Sequence, residues 1–335
     1  MLQLTDRAVL AAPVPLITTD EARMLGVDVH GSAYLRIRRG VHVERATYLA
    51  LKPWERYAVR VHAFVRKHPA AVLCLESAAV VHGLPLFGEA RDIHVYDPGL
   101  ATSQRFGDVC VHTSVDPREV IQLHGILVTS LLDTVADLAR VLPPARGLAV
   151  VDSAISPAQG GSLLVSDLQW RAAAQRNPRG RARQRWLWAR ADPRSESPAE
   201  SVSRAVIEWC GFETPELQQE FHYDGHTDRA DFLFPSNRAI GEADGWGKYQ
   251  LEDPARARAL LADEKRREDR LRRHGHPFSR WELSDAWKVT PLRRALVAAG
   301  VPRRHPEQPG MLATLAHRSR ERGPQPARLT FPHEA

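Results

Sequence analysis

The sequence is poor in the features that announce the commonest chemistries. Its three cysteines, Cys74, Cys110 and Cys210, are odd in number and far apart. They make neither a disulfide framework nor a zinc-ligand spacing. Lysine is scarce beside arginine, a bias that a GC-rich genome also produces. No apolar run reaches the ~20 residues that a membrane-spanning helix needs. The opening residues lack a leader pattern of charge followed by an apolar stretch. The expected compartment is therefore the cytoplasm, with no membrane partner. A glycine-rich phosphate loop and a nucleophile elbow are both missing. These absences argue against P-loop nucleotide hydrolysis and against serine-hydrolase chemistry.

What is present is mixed and basic. The chain has 335 residues, 43% of them hydrophobic, enough for two or three domains with real cores. Its 46 Lys and Arg outnumber 40 Asp and Glu, a net charge of +6. That balance permits nucleic-acid binding without specifying it.

Residues 1–75 read as a small winged-helix-like domain. Thr19 or Asp20 caps a short helix running to Leu25. "AYLRIRRGVHV" alternates, turns at Arg39-Gly40 and resumes, the pattern of a two-stranded wing. Arg36, Arg38 and Arg39 on that wing are candidate phosphate contacts, with a solvated hairpin as the competing reading. Residues 76–190 read as an α/β domain and a basic linker. "ESAAVVHGLPL" is a helix stopped by Gly83 and Pro85, "DIHVYDP" and "DVCVHTS" are strands, and "VTSLLDTVADLARVLPP" has helical apolar spacing. His82, His94, His112 and His124 show no i,i+4 pairing and read as ordinary core or surface histidines. Seven arginines interleaved with Trp186 and Trp188 over 176–196 suit either a nucleic-acid strand or a solvated helix.

Residues 191–292 read as a third domain. Ser197, Pro198 and Glu200 form a capping pattern ahead of a helix that buries Val202, Ala205, Val206 and Trp209. Strand, acidic hairpin, long charged helix and strand follow. In "RADFLFPSNRAIGEADGWGKY" a turn at Ser236-Asn237 pairs Phe234 with Ala239, Leu233 with Ile240 and Asp231 with Glu242. Glu242 then lies about 5 Å across the ladder from Asp231 and shares a face with Asp244. Three converging carboxylates would take a hard cation; the bland alternative is a solvated strand end. Residues 293–335, rich in Pro, Arg and Gly, read as a disordered tail.

The motifs "SPAESVSR", "RADFLFP", "RAIGEADGWGKY", "EKRREDRL" and "RWELSD", in that order over about 95 residues, resemble the PD-(D/E)XK nuclease superfamily. The likeness is to its very-short-patch-repair endonuclease branch. The front half, through "ESAAVVHGLP" and "VTSLLDTVADLAR", resembles AbiEi-type antitoxins of type IV toxin–antitoxin systems. The resemblance implies an α/β fold: a degenerate winged-helix-like amino terminus, an α/β middle and a restriction-endonuclease-like mixed sheet flanked by helices. It implies a metal-dependent DNA endonuclease holding Mg²⁺ or Mn²⁺ on Asp231 and Glu242. Asp244 stands where the superfamily usually has lysine, and either joins the metal ligands or leaves the lysine's role to Lys248. Glu200 becomes a further candidate catalytic acid, and Arg266, Arg267 and Arg270 become candidate DNA contacts. The alternative is a non-enzymatic DNA-binding antitoxin and regulator, with a nucleotidyltransferase toxin as partner.

Overall fold

The computed structural model describes residues 3–244, 254–317 and 320–322. The chain has an α/β fold built of mixed sheets and helices. It divides into two compact units: residues 7–134 with 318–335, and residues 1–6 with 135–317. The division falls at Val135, not at 75/76 or 190/191 as expected. One reason lies in the second unit, where Arg204 bonds to the fully buried Asp152, fastening the third block to the end of the second.

After a single helical turn, α1 (Leu4–Arg7), the first unit begins with a small antiparallel sheet. Its strands β1 (Ile17–Thr18), β2 (Tyr34–Arg38) and β3 (Val41–Glu44) lie in the order β1-β3-β2. Between β1 and β2 comes α2 (Thr19–Met24). Its N-cap is Thr18, one residue before the expected pair, and Thr18 and Glu21 complete a capping box. The wing turns at Arg39-Gly40 as expected, and Gly40 supplies the positive φ. Helices α3 (Arg45–Ala50) and α4 (Pro53–Lys67) follow.

The rest of this unit is a six-stranded mixed sheet in the order β6-β7-β5-β4-β9-β8. Its strands are β4 (Val72–Leu73), β5 (Ile93–Tyr96), β6 (Gln104–Phe106), β7 (Val109–His112), β8 (Val120–Leu123) and β9 (Ile126–Thr129). Helix α5 (Leu75–His82) ends at Gly83 in the left-handed region, as its sequence signals. Tyr57, Val61 and Phe64 of α4 pack with Ala78, Val81, Ile93 and Val128 in one core. Helix α6 (Leu131–Val141) carries the chain from one unit into the other.

The second unit continues with α7 (Pro144–Ile155), α8 (Val165–Ala174), α9 (Arg181–Trp188) and α10 (Pro198–Trp209). A four-stranded sheet follows: β10 (Glu216–Tyr223), β11 (His226–Phe234), β12 (Ala239–Asp244) and β13 (Phe278–Glu282), in that spatial order. The first three strands are antiparallel. Strand β13 runs parallel to β12, reached through the long α11 (Pro254–Arg273). A parallel pair requires such a crossover, which sets a helix against the sheet.

The chain closes with α12 (Leu283–Lys288), α13 (Thr290–Ala298) and α14 (Pro309–Ala313). Disorder was expected from 293, and residues 293–317 are instead structured. Leu292 and Leu296, four apart on α13, are fully buried, and Val301 and Leu315 are buried after them. Arg303 bridges back to Phe212. The Pro and Arg content hid an apolar pair at helical spacing. Residues 323–335 lie outside the described residues.

Candidate acid–arginine site on the second sheet

Two of the three pairings expected of the acidic hairpin form, and the ladder stops short of the third, Asp231 with Glu242. Phe234 pairs with Ala239, Leu233 with Ile240, and Phe232 with Gly241. The connection is Pro235–Arg238, four residues rather than two, closed by Arg238 at φ +58°. One face of β12 packs toward α10. Trp281, on β13 beside Ala243, stacks on Phe232 at 5.6 Å and donates its indole N–H to Ser203 of α10. The opposite face of β12 therefore carries Ile240, Glu242 and Asp244. Ile240 packs there with Leu271 of α11 and Phe278 of β13.

Asp231 stands at an irregularity. Leu217 pairs with Phe232 and Gln219 with Ala230, leaving Gln218 and Asp231 facing each other outside the ladder. Gln218 has φ +55°, a conformation that costs a non-glycine residue roughly 1–3 kcal/mol. Asp231 uses its Oδ2 to accept the Ala243 N–H at 2.9 Å, extending the β11–β12 contact by side chain.

Glu242 and Asp244 are buried, at 2% and 8% exposure. Arg267 of α11 grips Glu242 with both terminal nitrogens, at 3.1 and 3.0 Å, and donates also to the Arg229 carbonyl. Arg280, the β13 neighbour of Glu242, lies 3.6 Å from Asp244 and donates to Glu264 at 3.2 Å. Burial by itself would lower the pKa of Arg267; the facing Glu242, and then Asp231, more than offset it and raise it. Arg280 follows the same pattern, with Asp244, Glu264 and Glu242 outweighing burial.

Asp231, Glu242 and Asp244 thus gather around arginines. Among the described residues, no three His, Cys, Asp or Glu side chains converge as a complete ligand set for one ion. The Arg267 guanidinium pairs with Glu242 and is further stabilised by the charge of Asp231.

The remaining candidates lie as follows. Glu200 is buried at 3% exposure in the first turn of α10. Ser197 caps the Glu200 N–H as expected, but the Glu200 carboxylate reaches the Glu196 N–H, one residue before the cap. Gln218 also donates to it. Burial pushes the Glu200 pKa up to about 7, against the pull of those hydrogen bonds. Lys248 lies outside the described residues. Arg266 is exposed and paired with Asp263.

Arg267 and Arg270, expected to face DNA, are instead held inside ion pairs, Arg270 forking onto Asp228 at 2.7 and 2.6 Å. Arg38 is likewise engaged, bonded to Asp108 and lying over the Phe64 ring, whereas Arg36 and Arg39 are exposed. In the basic junction Arg190 covers Trp186 and forks onto Glu208, and Arg183 caps the Arg140 carbonyl. That stretch is packed structure rather than a free strand-binding track. Sequence reasoning assigned no role to Arg280, Glu264 or Gln218. Arg280 was findable, since the parallel crossover places β13 beside the acidic strand; Gln218 carried no local signal.

The fold and site together define an α/β protein whose second unit bears a buried acid–arginine row on a mixed sheet. No family model matches the chain. It is similar to two proteins of Mycobacterium tuberculosis strains, Uncharacterized protein MT2308 and Uncharacterized protein Rv2248. Each is 31% identical over 221 residues, which cover 66% of this chain and 77% of the relative. The chain belongs to the family of these mycobacterial proteins.

Proposed function

We propose that the chain is a metal-dependent DNA phosphodiester hydrolase whose site is the β11–β12 acid row. The observation that carries this reading is the buried Glu242 carboxylate, held by the Arg267 guanidinium, whose charge Asp231 also stabilises. Carboxylate oxygens are the donors that hard divalent cations take. Mg²⁺ commonly binds through one or two carboxylates and completes its shell with water and substrate phosphate. Asp231 and Glu242, with Asp244 beside them, would hold Mg²⁺ or Mn²⁺. The ion would polarise a phosphoryl oxygen and acidify bound water.

The chain's own residues do the rest. Arg267 orients Glu242 through a fork of two hydrogen bonds, and Arg280 lies beside Asp244. Glu200, with a pKa of about 7, both holds and releases a proton near neutrality. Duplex DNA is incubated with the purified chain under Mg²⁺ and Mn²⁺, beside Asp231→Asn and Glu242→Gln. Metal-dependent cleavage lost in both variants is the expected outcome. No cleavage by the parent chain, together with a metal-induced Tm shift unchanged in both variants, would remove the hydrolase reading.

A second reading is a DNA-binding regulator of the antitoxin type, with a toxin as partner. It is favoured by the complete occupation of Glu242 by Arg267 and by the exposure of Arg36 and Arg39 on the β2–β3 hairpin. Under it, Arg36→Ala with Arg39→Ala abolishes DNA binding while Asp231→Asn leaves it unchanged.

A further inference from the structure

The first unit holds a buried polar group with no part in the acid row. Glu76, in the first turn of α5, is 3% exposed. Arg320 forks onto both its oxygens. His94 of β5 lies 3.5 Å from the same carboxylate and 3.4 Å from Arg320, and its other nitrogen meets His112 at 2.9 Å. Burial by itself would raise the Glu76 pKa; Arg320, and then His94, hold it down at about 2.

The segment bearing Arg320 is seated on residues 89–91, just ahead of β5, through an isolated antiparallel bridge. Glu321 bridges Ala90 in antiparallel fashion. The Arg91 N–H donates to the Arg320 carbonyl, and the Arg322 N–H to the Glu89 carbonyl, both at 2.8 Å. Arg322 also lies 3.9 Å from the Glu89 carboxylate. Gly88 leaves room for the Glu321 side chain, since a Cβ there would meet it at 2.7 Å.

We propose that the 89–91 stretch, with Glu76 as anchor, is a recognition site for an extended Arg-x-Arg segment, occupied in cis by Arg320–Arg322 as a displaceable ligand. Two main-chain bonds flanking the bridge hold the backbone while alternate side chains meet acidic groups, a short form of peptide capture by strand addition. The acidic groups are Glu76 for the first arginine and Glu89 for the second. Glu76 demands arginine, because only a planar fork meets both carboxylate oxygens at once. Displacement is open because Arg320, Glu321 and Arg322 include no apolar side chain. A buried ion pair regains little net energy beyond its desolvation cost. The resident segment therefore competes chiefly through its tether, which keeps its local concentration high.

The test uses the full chain, its Arg320→Ala variant and a labelled synthetic peptide of residues 317–323, with binding read by fluorescence anisotropy. The variant binds the peptide at least about tenfold more tightly than the parent, whose own segment blocks the site. Adding Glu76→Gln to the variant removes the binding, and a peptide carrying Arg320→Lys binds at least about tenfold more weakly. Should Arg320→Ala unfold the unit, the Arg320→Lys chain is used instead, and it too binds the peptide more tightly than the parent. Equal affinity for parent and variant overturns the proposal. So does binding that survives Glu76→Gln, or equal binding of a scrambled peptide lacking the Arg-x-Arg spacing.

Discussion

At the residue scale, the most informative groups are charges taken out of water. The buried Glu242 carboxylate is met by a fork from Arg267. Arg267→Ala takes the forked partner from that buried carboxylate, and breaking a buried pair in this way typically costs about 3–5 kcal/mol. Equilibrium urea unfolding should show a loss of that order, largely restored by adding Glu242→Gln. Under the hydrolase proposal, Mg²⁺ recovers part of the loss in Arg267→Ala and none in the double variant.

Glu200 behaves in the opposite sense. Its folded pKa of about 7 lies above the ordinary carboxylate value of 4.5. Between those values the folded state holds the proton and the unfolded state does not. Stability therefore falls as pH rises from about 4.5 to 7, by a contribution on the order of 3 kcal/mol. Glu200→Gln should remove that slope, so its stability relative to the parent rises between pH 5 and pH 8 in denaturant melts.

At the element scale, the acid row depends on how closely β12 meets β13 and α10. Gly241 is the close approach: a Cβ there would lie 2.5 Å from the Trp281 ring. Trp281 in turn stacks on Phe232 and bonds to Ser203. Gly241→Ala must push that ring away, an overpacking cost of roughly 1–3 kcal/mol. A lowered Tm with an unchanged far-ultraviolet dichroism spectrum is the expected result. The hairpin register was readable because strand formers flank turn residues and every pairing follows from one turn. The positive φ of Gln218 was not readable, because nothing in "ELQQEFHY" marks where a ladder between distant strands breaks.

At the scale of the whole chain, the two units carry buried groups with opposite responses to acid. In the unit of residues 7–134 and 318–335, Glu76 sits at about 2, and His94 is lowered to about 4, chiefly by burial. Below pH 6.5 the unfolded state takes up protons that folded His94 refuses, and below 4.5 the same holds for Glu76. Both contributions to stability are thus lost as pH falls toward those folded values. In the unit of residues 135–317 with 1–6, acidification from pH 7 to 4.5 protonates Glu200 in the unfolded state only after the folded state has gained from it. Calorimetry from pH 7 down to 4.5 should therefore show the Glu76 unit losing stability relative to the Glu200 unit. Glu76→Gln should flatten the acid limb of the former below pH 4.5 and leave the latter unaltered.

The sequence by itself determined what is local. It set the β2–β3 turn at Arg39-Gly40, the stop of α5 at Gly83, the Ser197 cap and buried stripe of α10, and the pairing of β11 with β12. Each rests on residues within one turn or one hairpin, where propensity and periodicity act directly. The tertiary structure decided which charges meet. Arg267 and Arg270 look like surface cations on a charged helix, yet they face Glu242 and Asp228 from 25 and 42 positions away. Arg320 finds Glu76 across 244 positions. Such pairings follow from where a crossover helix lands and where a late segment returns, and no local pattern encodes either. The compact units divide at Val135 for the same reason: burial joins Asp152 to Arg204, whatever the composition between them suggests.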